Sequence, residues 1–196
     1  MSKIDFILSS REIIQEPNKV LRSIAAEVPV AKIQTPRIQR MIAEMKATLK
    51  TTPDGVGLAA PQIGESLRIF IVSDEAEEID RVGRRRADDA ELDPSREGRK
   101  KPYEEREWNY YVFINPVIKK TSRKKLEDTE GCLSVRGKYG IVKRHEKLTL
   151  EYYDEAAKKI TRGFSKFFAR VVQHETDHLN GILFIDKAEK TFPVKK

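Results

Sequence analysis

Cysteine and histidine are scarce in this 196-residue chain, which has one of the first and three of the second. A single cysteine, Cys132, excludes an intramolecular disulfide, so the fold has to rest on a hydrophobic core, and a reducing compartment suits it. No apolar run approaches the roughly 18 residues that a membrane span requires. The opening stretch, MSKIDFILSSREIIQEP, carries an acid within its short apolar run and has no small-residue cleavage site, so neither secretion nor membrane insertion is expected. Internal repeats and stacking-aromatic nucleic-acid motifs are missing as well. What remains, with 39% hydrophobic and 35% charged residues, describes one domain spanning residues 1–196 with a sizeable core.

Charge is unevenly spread. The segment from Asp74 to Glu107 holds 13 acidic and nine basic residues among 34, whereas the rest of the chain carries 29 bases against 18 acids. That basic body favours a polyanionic neighbourhood in a general way but identifies no nucleic-acid partner. The charged segment has no hydrophobic periodicity and reads as a solvated insertion at about residues 74–108. Removing it between Glu77 and Pro102 is expected to leave the chemistry unchanged.

The remaining elements follow from spacing. Thr35-Pro36 announces a helix whose buried face recurs at Ile38, Met41, Ile42, Met45 and Leu49. Leu67–Val72 and Tyr111–Ile114 read as strands able to pair as a hairpin, the second ended by Asn115-Pro116, and Lys147–Tyr153 alternates as a strand with one wet face. A second helix runs from Ser165 to Leu179, is stopped by Asn180-Gly181, and leads to a short strand, Ile182–Ile185. Separate strands and helices indicate an α+β fold, with mixed or antiparallel sheets around that second helix.

The second helix carries the chemistry, in His174-Glu175-Thr176-Asp177-His178. Imidazoles four residues apart lie on one helical face, where one divalent metal can take both, and Glu175 can accept a proton from water at the open side. A catalytic metal usually keeps three protein ligands, and Cys132, within Glu-Gly-Cys-Leu-Ser, is the candidate for the third. His145, alone among charged neighbours, is assigned to the surface or a local hydrogen bond.

Three separated segments, GVGLAAPQIG (Gly55 to Gly64), EGCLS (Glu130 to Ser134) and QHETDHLNG (Gln173 to Gly181), together resemble the peptide deformylase family. The resemblance extends from Pro17 to about Asp186 and leaves out the charged insertion. It implies a metal-dependent hydrolase that removes the formyl group from the N-terminal formylmethionine of nascent polypeptides and releases formate. Cys132, His174 and His178 would hold one divalent ion per chain, natively ferrous iron, with zinc, nickel or cobalt able to replace it. Gln62, through its side-chain amide, and Leu133, through its backbone N–H, would donate to the oxyanion. Glu175 would move the proton from water to the departing amine.

On this reading Gly55 and Gly57 leave room for an extended peptide, and Phe167 and Val171, on the face of the two histidines, line a methionine pocket that Val56 completes. The resemblance also implies a cytoplasmic bacterial protein or a mature organellar form, working near the ribosome. Arg136 and Tyr139 depart from the family's usual residues, and the tail after Asp186 is short and lysine-rich. Two other readings exist. A zincin-type peptidase would take a downstream third ligand, for which Asp186 is the one weak candidate, and a metal-stabilised binding module would need a fourth ligand that the sequence does not offer.

Overall fold

Residues 9–52, 55–80 and 109–193 are described by the computed structural model, and residues 81–108, the greater part of the charged insertion, lie outside them. The helical period ending at Leu49 becomes α1 (Pro36–Lys50), which starts at Thr35 with proline in its first turn and buries Ile38, Met41, Ile42, Met45 and Leu49. The strands are β1 (Gly57–Ala59), β2 (Ile69–Ser73), β3 (Tyr110–Thr121), β4 (Lys125–Glu130), β5 (Lys138–His145), β6 (Lys147–Tyr153), β7 (Lys159–Ser165) and β8 (Lys190–Pro193). The second helix, α2, spans Lys166–Leu179.

Two antiparallel sheets result, one ordered β1-β2-β3-β6-β7 and the other β4-β5-β8. All five residues of β2 are buried because the larger sheet is covered on both faces. Ile69, Ile71, Val112 and Ile114 join the cluster containing Ile42, Met45 and Leu49 of α1. Phe70, Val72 and Phe113, the alternate residues of the same strands, pack with Phe168, Val171 and Val172 of α2. The arrangement is α+β, with α2 lying between the large sheet and the smaller one. On β6, Leu148, Leu150 and Tyr152 point inward, as its alternation predicts.

Four expectations change. Asn115-Pro116 bends β3 without ending it: Asn115 takes φ 50° and its side chain bonds both Val28 N–H and Val28 O, and the register shifts there while pairing with β6 continues to Thr121. Ile182–Ile185 is not a strand. Leu183 and Phe184 are buried in a third cluster, and Asp186 accepts from Leu183 N–H to close a short 3-10 turn at Phe184–Asp186. A short buried apolar run fits either structure, so its pattern does not separate them. The lysine-rich tail forms β8 on β5. Finally, the chain leaves β2 as a helical segment at residues 75–80, with Ala76 fully buried. Residues 75–80 of the insertion are therefore packed against the fold, residues 81–108 lie outside the described residues, and a cut at Glu77 would remove part of that packing.

Candidate metal centre and active-site cleft

Helical spacing puts His174 and His178 side by side on α2, their rings 5.0 Å apart in a T-shaped pair. Cys132, in the turn between β4 and β5, meets them from the smaller sheet: its Sγ lies 3.3 Å from His178 Nε2. The ligand atoms of Cys132, His174 and His178 all fall within 4.8 Å of one another. A thiol sulfur with two imidazole nitrogens is a donor set suited to a divalent transition metal, so the side chains fit the ion that the sequence implies. Among the described residues no fourth His, Cys, Asp or Glu joins the group. Asp186, the third ligand a zincin would need, is instead bonded to Arg22 and Leu183 N–H.

The surroundings orient each ligand. Glu130 Oε2 lies 2.9 Å from His174 Nδ1, which leaves Nε2 of that ring for the centre. Glu130 is gripped by Arg144 through two bonds of 2.9 Å and by Arg170 at 2.7 Å, and Arg144 also bonds Asp177 of α2. Burial alone would raise the Glu130 carboxyl, but the bonds from His174 and Arg144 outweigh it and hold the group far below the usual carboxylate range. Burial pulls His174 down, while its bonds with Cys132 and Glu130 carry it to about 10. Burial and the neighbouring His174 drive His178 well below its ordinary value. A proton on this pair therefore sits on His174 and not on His178, and a cation bound by both rings would compete with it.

Glu175 is 4% exposed, and burial pushes it up to about 7. Its Oε2 has no hydrogen-bond partner among the described residues. Across from it, Gly57 has no side chain to spare: a Cβ there would sit 2.5 Å from Glu175 Oε1. Gln62 lies in the 3-10 turn Ala60–Ile63 that follows β1. Its Oε1 accepts from Ala59 N–H at 2.8 Å, which turns Nε2 toward Ser134 Oγ at 3.2 Å and Cys132 Sγ at 3.7 Å. Leu133 follows Cys132, and its carbonyl is held by Gln15 Nε2 at 2.9 Å.

These side chains share one cleft of about 470 Å³, in which Gly55, Val56, Gly57, Phe167 and Val171 stand with Gln62, Cys132, Leu133, His174 and Glu175. His178 lies beneath it, 1% exposed. All eleven residues singled out from the sequence therefore come together. Sequence reasoning missed Arg144, Arg170 and Asp177; the last two share α2 with the histidines, one at i−4 and the other at i+3 from His174, and that spacing was the available signal. His145, outside the cleft, bonds Ser122 O, 23 residues earlier in the chain, at 2.6 Å. Tyr139 and Arg136 line the outer cleft, the tyrosine ring covering Gly131, where a Cβ would come within 2.7 Å of it.

Fold and site together define a protein built around a helix-borne His-Glu-X-X-His centre, with a cysteine as the third potential ligand. The family model for polypeptide deformylase matches residues 10–193, and the chain belongs to the peptide deformylase family. It is 39% identical over 176 residues to peptide deformylase 1A, chloroplastic/mitochondrial, of Arabidopsis thaliana, covering 90% of this chain and 60% of that protein. It is 36% identical over 185 residues to a peptide deformylase of Desulforudis audaxviator, covering 94% of this chain and 97% of that one. The chain spans about 60% of the length of the plant relatives that it matches. Among solved structures, the Met-Ala-Ser-bound class I type b peptide deformylase of Acinetobacter baumannii superposes with a TM-score of 0.72 at 31% identity, covering 92% of this chain and 99% of that one.

Proposed function

We propose that this chain hydrolyses the formamide bond of N-formylmethionyl peptides, releasing formate and a free N-terminal methionine. The observation that carries the reading is the convergence, in one cleft, of the Cys132–His174–His178 donor set with the buried carboxylate oxygen of Glu175 that has no partner among the described residues. A divalent ion held by those three residues supplies a Lewis acid that makes water a stronger nucleophile near neutral pH. Glu175 Oε2 accepts the proton of the attacking water and returns it to the amine nitrogen, which is a poor leaving group without it. Gln62 Nε2, fixed by the bond from Ala59 N–H to Oε1, and the Leu133 N–H donate to the oxygen that gains charge.

Val56, Phe167 and Val171 give the cleft an apolar wall for the methionine side chain, and the backbone of Gly55–Gly57 offers strand-like bonds to a peptide of any sequence. Iron(II) is the native ion on this reading, and zinc, nickel or cobalt can take its place. The substrates are nascent chains, so the protein works beside the ribosome, where its basic body favours polyanionic neighbours. Relatives are bacterial and plant organellar, and we assign this chain to a bacterial cytoplasm or an organelle interior. Product analysis tests the activity. Formyl-Met-Ala-Ser should yield formate and intact Met-Ala-Ser; cleavage of an internal peptide bond would instead show a peptidase.

A further inference from the structure

The helix that carries the two histidines starts without a cap of its own. Ser165, at the cap position, makes no capping side-chain bond among the described residues, and Lys166 sits in the left-handed region at φ 55°, a strained conformation for a residue with a side chain. Lys166 N–H bonds back to Glu146 O at 2.7 Å, which leaves the next two N–H groups of the first turn to be satisfied. Both are taken by Asp80, a residue 87 positions earlier in the chain: Oδ1 accepts from Phe167 N–H at 3.0 Å and Oδ2 from Phe168 N–H at 3.1 Å. A carboxylate there also opposes the positive end of the helix dipole.

Asp80 is itself held. It ends the helical segment 75–80, in which Ala76 is buried beside Val72 and Phe168. One turn before it, Glu77 bonds Arg162 Nη2 at 2.6 Å, and that guanidinium lies 5.1 Å from the centroids of the Tyr111 and Phe164 rings. The stem of the charged insertion is therefore docked on the start of α2. The backbone that Asp80 holds belongs to Phe167, whose side chain lines the cleft together with Val171.

We infer that Asp80 is a positioning residue, which fixes the first turn of α2 and thereby the Phe167 wall of the methionine pocket; the pocket half of this inference rests on the function proposed above. Because the backbone that Asp80 holds, at Phe167 and Phe168, lies about two turns of helix before His174, losing it alters the fit of the methionine side chain and spares the reacting groups.

The test uses the full chain loaded with nickel, in wild type, Asp80→Ala and Asp80→Asn, with Ile42→Val of α1 as a stability control outside the cleft. Loss of a cap is expected to raise KM for formyl-Met-Ala-Ser about tenfold in Asp80→Ala, with kcat and metal content kept within about twofold. KM for formyl-Ala-Ala-Ser, which does not fill the pocket, should barely move. Asp80→Asn, whose carboxamide oxygen still accepts, should recover most of the loss. Amide exchange at Phe167 and Phe168 should quicken about tenfold in Asp80→Ala and not in Ile42→Val. Unchanged exchange at those two amides would overturn the cap, and an equal KM rise for both peptides, or a loss matched by Ile42→Val, would overturn the effect on the pocket. If wild type released no formate, the proposed function would fail and the pocket half with it, while amide exchange would still decide whether Asp80 caps the helix.

Discussion

Glu175 has one oxygen that no group among the described residues satisfies, in a place where an unsatisfied buried acceptor costs free energy. Its neighbour Gly57 allows that placement only because it lacks a Cβ. Gly57→Ala should therefore push the carboxylate aside and cut kcat/KM for a formyl-Met peptide by at least about tenfold, on the scale of a misplaced catalytic group; steady-state formate release measures it. The ligands and the base should separate cleanly. Cys132→Ala, His174→Ala and His178→Ala are each expected to lose the bound metal, whereas Glu175→Gln keeps it and loses turnover by about a hundredfold or more. Metal analysis beside kcat distinguishes the two outcomes, and near-full activity in Glu175→Gln would remove it from the proton path.

At the scale of elements, α2 is pinned from both sides, by the large sheet through Phe168, Val171 and Val172 and by the small sheet through charge. Glu130 at the end of β4, Arg144 on β5, and Arg170 and Asp177 on α2 form one buried network. Removing its central anion strands two guanidinium groups away from water, so Glu130→Ala should cost about 3–5 kcal/mol of stability, measured by urea unfolding. A loss near zero would mean that water reaches the network. This network was hard to read in the sequence, because paired buried charges leave the same polar letters as a solvated surface. The helices were legible for the opposite reason: α1 repeats its apolar residues at helical spacing, and α2 carries the two histidines. β4, largely exposed, and β7, whose inward face has only Ile160 and Phe164 as apolar side chains, carry too weak a pattern to read, and they were not anticipated.

Over the whole molecule, the motifs lie far apart in sequence and meet because β1, the β4–β5 turn and α2 converge on one cleft. His174, Glu175 and His178 were legible from their spacing on one helical face and Cys132 as the candidate third ligand, whereas Gln62 and Leu133 came only with the family resemblance. Their second layer and the docked stem at 75–80 were not, since both depend on contacts between distant segments. The stem changes what can be cut away. Deleting residues 84–105 with a short glycine-serine bridge should leave formate release from a tripeptide within about twofold, because those residues belong to none of the three motifs. A deletion that begins at Glu77 removes the Arg162 and Phe167 anchors and should raise KM. Parallel KM measurements on the two deletions check this, and equal behaviour would contradict it.

The central claim is that one metal-dependent site in this chain deformylates peptides. The measurement that tests it most directly is formate release from formyl-Met-Ala-Ser while iron(II) or nickel(II) is titrated, without oxygen, into chelator-treated protein. The account predicts activity that rises linearly and stops at one ion per chain, with no gain in Cys132→Ala. Formate release that ignores the added metal, or no formate at full loading, would contradict it.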